Sequence, residues 1–183
     1  MVRRNTPRIS FIGFGEAGQA IASGLRDAGI ERIASWDILF PEAAGTRLKA
    51  AGETMGVRIA SSAGDAVRET DIIISAVTAA SSVDAARSVA PHLSGKPYYL
   101  DINSVSPGRK QDTAKVLGEG ARYVDVAVIA PIHPARHRTP LLISGPHAEE
   151  ISPLLRELEM QLTVVSPETG SAAAIKMIRS VMI

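Results

Sequence analysis

Three glycines mark the first place in this chain where chemistry is expected. Gly13, Gly15 and Gly18 fall in the string Gly13-Phe14-Gly15-Glu16-Ala17-Gly18, just after an apolar β-branched run (RISFIGF, 8–14) and just before an Ala-rich stretch with helical spacing. A strand that turns through glycines into a helix makes an anion site. Gly13 permits the tight turn, Gly15 lets the backbone approach a pyrophosphate, and Gly18 lets helix and strand pack closely. The helix N-terminus then offers free N–H groups and the positive end of its dipole to the phosphates. The residues from Gly13 to Gly18 are therefore expected to bind a dinucleotide; the plainer reading is a structural turn in some other α/β fold. Asp37 lies 19 positions after Gly18, at the end of the next expected strand (IASWD). A carboxylate there can accept hydrogen bonds from ribose hydroxyls and repels a 2′-phosphate, which favours NAD and leaves NADP open. The alternative for Asp37 is a turn aspartate before Pro41.

These residues need alternating strands and helices to position them, and the chain has that rhythm throughout. Helical spacing runs over 16–28, with Gly29 as its stop, and a strand follows over 32–36. Pro41 is expected to open a second helix and Gly52 to close it. Strands are expected over 57–60, 72–77, 98–102, 123–128, 141–144 and 162–165, of which 72–77 (IIISAV) reads as buried on both faces. Helices are expected over 63–69, 82–90, 107–117, 147–158 and 168–182, whereas 129–140 (IAPIHPARHRTP) has three prolines and reads as an irregular loop. Strand–helix–strand repetition implies parallel strands joined by right-handed crossovers, hence an α/β fold with a doubly wound, mostly parallel, Rossmann-type sheet. Ligands in such sheets lie beyond the carboxyl ends of the strands. Val77 and Thr78, then Asn103 and Ser104, should line the same cleft as the glycines, although strand-end packing explains the first pair equally well.

Composition removes whole classes of function. Among 183 residues there are 20 Lys+Arg against 19 Asp+Glu, 45% apolar residues, 4% aromatics and no cysteine. Balanced charge argues against nucleic acid or an anionic membrane as partner, and scarce aromatics argue against base stacking. Thiol catalysis and Cys-based zinc sites are excluded. No His/Asp/Glu grouping has metal-ligand spacing, so no metal is expected. The N-terminus lacks the pattern of a signal peptide and no apolar run is long enough to cross a bilayer, so a cytoplasmic location is expected.

Four segments together, FIGFGEAGQAIASGLRDAG (11–29), DINSVSPGRKQDTA (101–114), DVAVIAP (125–131) and TGSAAAIKMIRS (169–180), resemble the β-hydroxyacid dehydrogenase family, which includes 3-hydroxyisobutyrate and 6-phosphogluconate dehydrogenases. The resemblance implies a nicotinamide-binding domain over 1–166 and, over 167–183, the start of a long helix leading to an all-helical domain that this chain lacks, through which a homodimer would form. It further implies that Lys176 occupies the position of the family's lysine. There Gly170 stands at the first glycine of the GxGxxxKxxxN pattern, Ala172 at the second and Ser180 at the Asn. Lys176 and Ser180 share a helix face, and a partly desolvated lysine can act as general acid/base. Asn103 and Ser104 match the family's loop that touches nicotinamide and substrate, so the resemblance makes Asn103 a cofactor contact and Ser104 and Ser180 substrate contacts.

One departure is large. Where the family has a Ser-Gly-Gly substrate turn, this chain has Ile129-Ala130-Pro131, which carries no side-chain donor and, at Pro131, no backbone N–H. The cations of 133–138 could meet an acidic substrate instead, or simply form a solvated loop. The expected activity is hydride transfer between NAD(P) and a small β-hydroxyacid or related alcohol. The alternatives are an imine or ketone reductase of similar build and a nucleotide-binding module without catalysis. The chain is expected to bind dinucleotide and turn over poorly alone. An exposed apolar final helix (Ala172, Ala173, Ala174, Ile175, Ile178, Val181, Met182) makes self-association an expectation.

Overall fold

The computed structural model describes residues 6–182. Among the described residues eight strands form one sheet: β1 (Ile9–Ile12), β2 (Ile33–Trp36), β3 (Arg58–Ile59), β4 (Ile72–Ser75), β5 (Tyr98–Asp101), β6 (Arg122–Val128), β7 (Leu141–Ser144) and β8 (Leu162–Ser166). Their spatial order is β3-β2-β1-β4-β5-β6-β7-β8; β1 to β6 are parallel, and β7 and β8, parallel to each other, run antiparallel to them. Strand order reverses between β1 and β4, and this crevice is where an open α/β sheet takes its ligand.

Period-two alternation divides the inner strands between two layers. Ile72 and Ile74 pack with Ile21 and Leu25 of α1 (Glu16–Asp27) and with Ile151 and Leu155 of α6 (Ala148–Glu157). Ile73 faces the other layer, where Ala66 of α3 (Ala63–Ala66), Val89 of α4 (Ser82–Val89) and Leu117 of α5 (Pro107–Leu117) close over it. Both faces are covered, which is why the inner strands read as unbroken apolar runs.

Several boundaries differ from the expected ones. The second helix, α2 (Thr46–Thr54), starts after Pro41 and runs through Gly52. Pro41 sits in a turn held by Asp37, whose carboxylate accepts from the Leu39 amide at 2.9 Å and whose carbonyl accepts from the Phe40 amide. Gly52 lies within the helix, buried against Ile59, whose Cδ1 would stand 2.6 Å from an added Cβ. β4 ends at Ser75 because the Val77 amide leaves the ladder and donates to Asn103 Oδ1 (2.7 Å). The last helix, α7 (Ser171–Val181), begins three residues later than expected, after Gly170 at φ +99°. Its first residues are not part of an exposed apolar face, because Ala172 and Ala173 are buried. Ile175, Met177, Ile178 and Val181 are exposed, as is Met182 beyond the helix.

Within the segment 129–140, the cation cluster lies away from the cleft, although its outer residues are exposed. Its 3₁₀ turn Arg136–Arg138 packs on the C-terminal half of α1. Arg136 donates to Ser23 Oγ (3.0 Å) and Asp27 Oδ2 (2.7 Å), Arg138 pairs with Glu159, and the buried His137 ring fills the space left by Gly24. The two arginines are spent on intramolecular partners, Arg136 far along α1 from the glycine turn and Arg138 at Glu159, which leaves neither for an acidic substrate.

Candidate functional site

The glycine turn has the shape its sequence demands. Gly13 adopts φ +88°, and a Cβ there would collide with the Ala76 carbonyl, so the fold itself requires glycine. Gly18 meets the Gly13 carbonyl, 2.8 Å from an added Cβ. Gly15 is different: nothing lies within 4 Å of an added Cβ. No protein group explains the missing side chain at this position, the N-cap of α1, where no side chain caps the first-turn amides. That open cradle is what a pyrophosphate would fill. Glu16 and Ala17 begin the helix beside it. Phe14 turns its ring into the core, and both its backbone groups are engaged, its N–H by Asp37 Oδ2 (2.8 Å) and its carbonyl by Gln19 (2.8 Å). Phe14 therefore shapes the turn, and its carbonyl oxygen keeps one lone pair towards the cofactor side.

Asp37 closes β2 and ties it to the glycine turn through that Phe14 contact, while its other oxygen holds Leu39. Each oxygen keeps a free lone pair, so ribose hydroxyls can still be accepted. The next residue, Ile38, is exposed.

Val77, Asn103, Ser104 and Lys176 continue the same cleft. A Cβ on Gly13 would touch Val77 Cγ1, and the Val77 amide is held by Asn103 Oδ1. The Asn103 amide nitrogen donates to Ser75 Oγ (3.0 Å) and Asp101 Oδ1 (2.8 Å). Its side chain thus laces the ends of β4 and β5 and is buried. Thr78 donates to Ser81 at the cleft margin. Beside Asn103, Ser104 Oγ accepts from Lys176 Nζ at 2.8 Å. A cavity of about 400 Å³ lies there, lined by Ser104, Val105, Val126, Met177 and Ser180, with Lys176 on its wall. Burial, helped by the nearby Lys110 charge, lowers the Lys176 pKa from its ordinary value. The Ser180 hydroxyl donates to the Lys176 carbonyl (2.9 Å) and so stays on its own helix.

Behind Lys176 lies a buried ion cluster that was not foreseen from the sequence. Lys110 is 1% exposed and Asp101 and Asp125 are fully buried, with Lys110 Nζ 3.3 Å from a carboxylate oxygen of each. Lys110 also donates to the Asp101 carbonyl (2.6 Å). Tyr123 donates to Asp101 Oδ2 (2.8 Å) and Ser144 to Asp125 Oδ2 (3.0 Å). Asp125 and Ser144 in turn accept the Ala173 (3.1 Å) and Ala172 (3.0 Å) amides, capping α7 from the sheet. The signal was present: an aspartate inside each of the strands YYLD and RYVDVAV must find a cation. Among the described residues no group of His, Asp and Glu could hold a metal, and no helix is long and apolar enough to cross a membrane.

Comparison with known proteins agrees with this geometry. Residues 8–166 match the family described as the NAD binding domain of 6-phosphogluconate dehydrogenase. The chain belongs to that family. NAD is accordingly its cofactor class, as the glycine turn implied. An uncharacterized 28.5 kDa protein of Methanothermus fervidus is 30% identical over 173 residues, covering 94% of this chain and 64% of that one. A conserved hypothetical protein of Sinorhizobium meliloti 1021 superposes with TM-score 0.88 at 37% identity, over 97% of this chain and 60% of the other. A conserved protein of unknown function, reported to resemble 3-hydroxyacid dehydrogenases, superposes with TM-score 0.82 at 32% identity, over 94% and 63%. The NAD-binding domain thus spans somewhat under two thirds of the length of these relatives. More distant structures, a Mycobacterium tuberculosis 3-hydroxyisobutyrate dehydrogenase with L-serine (18% identity, TM-score 0.83) and a Myxococcus stipitatus imine reductase variant with NAD+ (24%, 0.79), share the fold.

Proposed function

We propose that this chain is the cofactor-binding part of an NAD-dependent oxidoreductase that interconverts a hydroxyl and a carbonyl group, with Lys176 as general acid/base. The observation that carries the reading is the contact of Lys176 Nζ with Ser104 Oγ, at the same strand ends that bear the open Gly15 cradle. The nicotinamide, when bound, supplies the hydride acceptor or donor. The protein's own residues do the rest. The α1 amides at Gly15 and Gly18 take the pyrophosphate, and Asp37 takes the ribose hydroxyls and disfavours a 2′-phosphate. Asn103 keeps the β4 and β5 ends in register. Lys176, partly desolvated, accepts the substrate hydroxyl proton in its neutral form or returns it in the reverse direction, while Ser104 Oγ fixes where Nζ sits. Ser180, whose hydroxyl is turned to its own helix, has at most its oxygen lone pairs for substrate.

An imine reductase is the second reading, favoured by the mostly apolar walls around Lys176, Val105, Val126 and Met177 among them. The activity test is NADH formation with 3-hydroxyisobutyrate and 3-hydroxypropionate, set beside NADH consumption with a cyclic imine. Oxidation that disappears in Lys176→Met supports the first reading, and imine reduction alone supports the second. NADH binding with neither reaction would leave only a nucleotide-binding module.

A further inference from the structure

We propose that Arg179, one helical turn beyond Lys176, is the binding residue for a carboxylate on the substrate. The inference rests on the reading of the Lys176 cleft as the substrate site. A second cavity, about 360 Å³, is lined by Val128, Ile129, Ala130, Lys176, Arg179 and Ser180. It shares Lys176 and Ser180 with the first cavity, so the two adjoin along that face of α7.

The charge in this space is one-sided. Neither lining contains an aspartate or glutamate. Of its three cations, Lys110 is already matched by Asp101 and Asp125. Lys176 has a hydroxyl as its partner and no carboxylate. The Arg179 guanidinium is exposed and makes no hydrogen bond or ion pair with any described residue. A basic pair three residues apart on one helix, with no carboxylate in either lining, calls for an anionic ligand.

The facing rim cannot take that charge itself. The Ile129 amide is engaged by the Pro140 carbonyl (3.1 Å) and Pro131 has no N–H, which leaves the Ala130 amide alone. The negative group must therefore be met by side chains. Arg179, charged at any working pH, offers a planar fork of donors that fits the two oxygens of a carboxylate, while Lys176 is kept for the hydroxyl. The ligand is accordingly a short hydroxy acid, with its hydroxyl at Lys176 and its carboxylate at Arg179.

Titration of the chain with 3-hydroxypropionate in saturating NADH tests this without turnover, because the reduced cofactor cannot oxidise the acid. The methyl ester of the acid and glycerol 3-phosphate form the neutral and phosphate arms. Arg179→Met is expected to weaken acid binding about 10- to 100-fold and to leave the ester unchanged, with Arg179→Lys in between. Because Arg179 is exposed, the variants should melt with the wild type. Equal acid affinity in wild type and Arg179→Met, no acid binding to wild type, or a preference for the phosphate arm overturns the proposal. The activity reading is judged separately by NADH formation: loss of acid affinity in Arg179→Met without any turnover keeps the subsite and removes the reaction.

Discussion

At the scale of single residues, glycines of one motif separate into those the fold needs and one it does not. Gly13 adopts φ +88° with its Cβ position blocked by the Ala76 carbonyl, so Gly13→Ala is expected to destabilise the chain by about 1–3 kcal/mol, measurable by urea unfolding. Gly15 has open space at its Cβ position. Gly15→Leu should leave the unfolding midpoint nearly unchanged and weaken NADH at least tenfold by calorimetry; unaltered affinity would remove the pyrophosphate from this turn. Lys176 carries the matching prediction for chemistry. Lys176→Met should slow hydroxyacid oxidation by about 10²–10⁴-fold, with NADH affinity retained. Its lowered pKa gives the sign of the pH profile: oxidation needs the neutral amine, so the rate rises with pH and levels off above a pKa lower than the ordinary 10.5 of lysine. A rate that falls over this range would assign the proton to another group.

At the scale of elements, the helix that carries Lys176 is capped by residues of the sheet and not by its own sequence. Gly170 at the N-cap has no side chain, and the Ala172 and Ala173 amides go to Ser144 and Asp125. Ser144→Ala removes one acceptor and one donor to Asp125, and should destabilise by about 1–2 kcal/mol while speeding amide exchange in the first turn of α7. Unchanged exchange there would mean that packing alone seats the helix. This arrangement shows where sequence legibility ends. The strand–helix rhythm, the glycine turn and the limits of α5, with Pro107 at its start and Gly118 at its end, follow from local spacing and were readable. Partners far apart in the chain were not. Asp125 lies 48 residues from Ala173 and Asp37 lies 23 from Phe14. No periodicity announces that a carboxylate will serve a distant amide. For the same reason Pro41 was read as a helix start, when Asp37 had already claimed that stretch for a turn.

At the scale of the whole molecule, two buried polar assemblies hold the long sheet to its helices. Lys110 joins β5, β6 and α5 beneath the candidate site, so its removal leaves two aspartates buried without their cation. On the opposite side, the turn Arg136–Arg138 ties the β6–β7 connection to α1 through His137. Neither ring nitrogen of His137 has a hydrogen-bond partner among the described residues, although Glu159 lies 3.8 Å from Nε2. Burial, with the Arg138 and Arg136 charges adding to it, lowers the His137 pKa below 6.5, against the opposing pull of Glu159. Between the folded pKa and 6.5 the unfolded chain therefore holds a proton that the folded chain refuses, so stability falls as the medium is acidified through this window. The limiting slope for one such group is about 1.4 kcal/mol per pH unit. Urea unfolding at pH 7.5 and 5.5 should show a larger loss for wild type than for His137→Leu, whose apolar side chain cannot titrate. Equal losses in the two proteins would mean that His137 accepts its proton in place, with Glu159 as counter-ion, and that the brace on α1 survives acid.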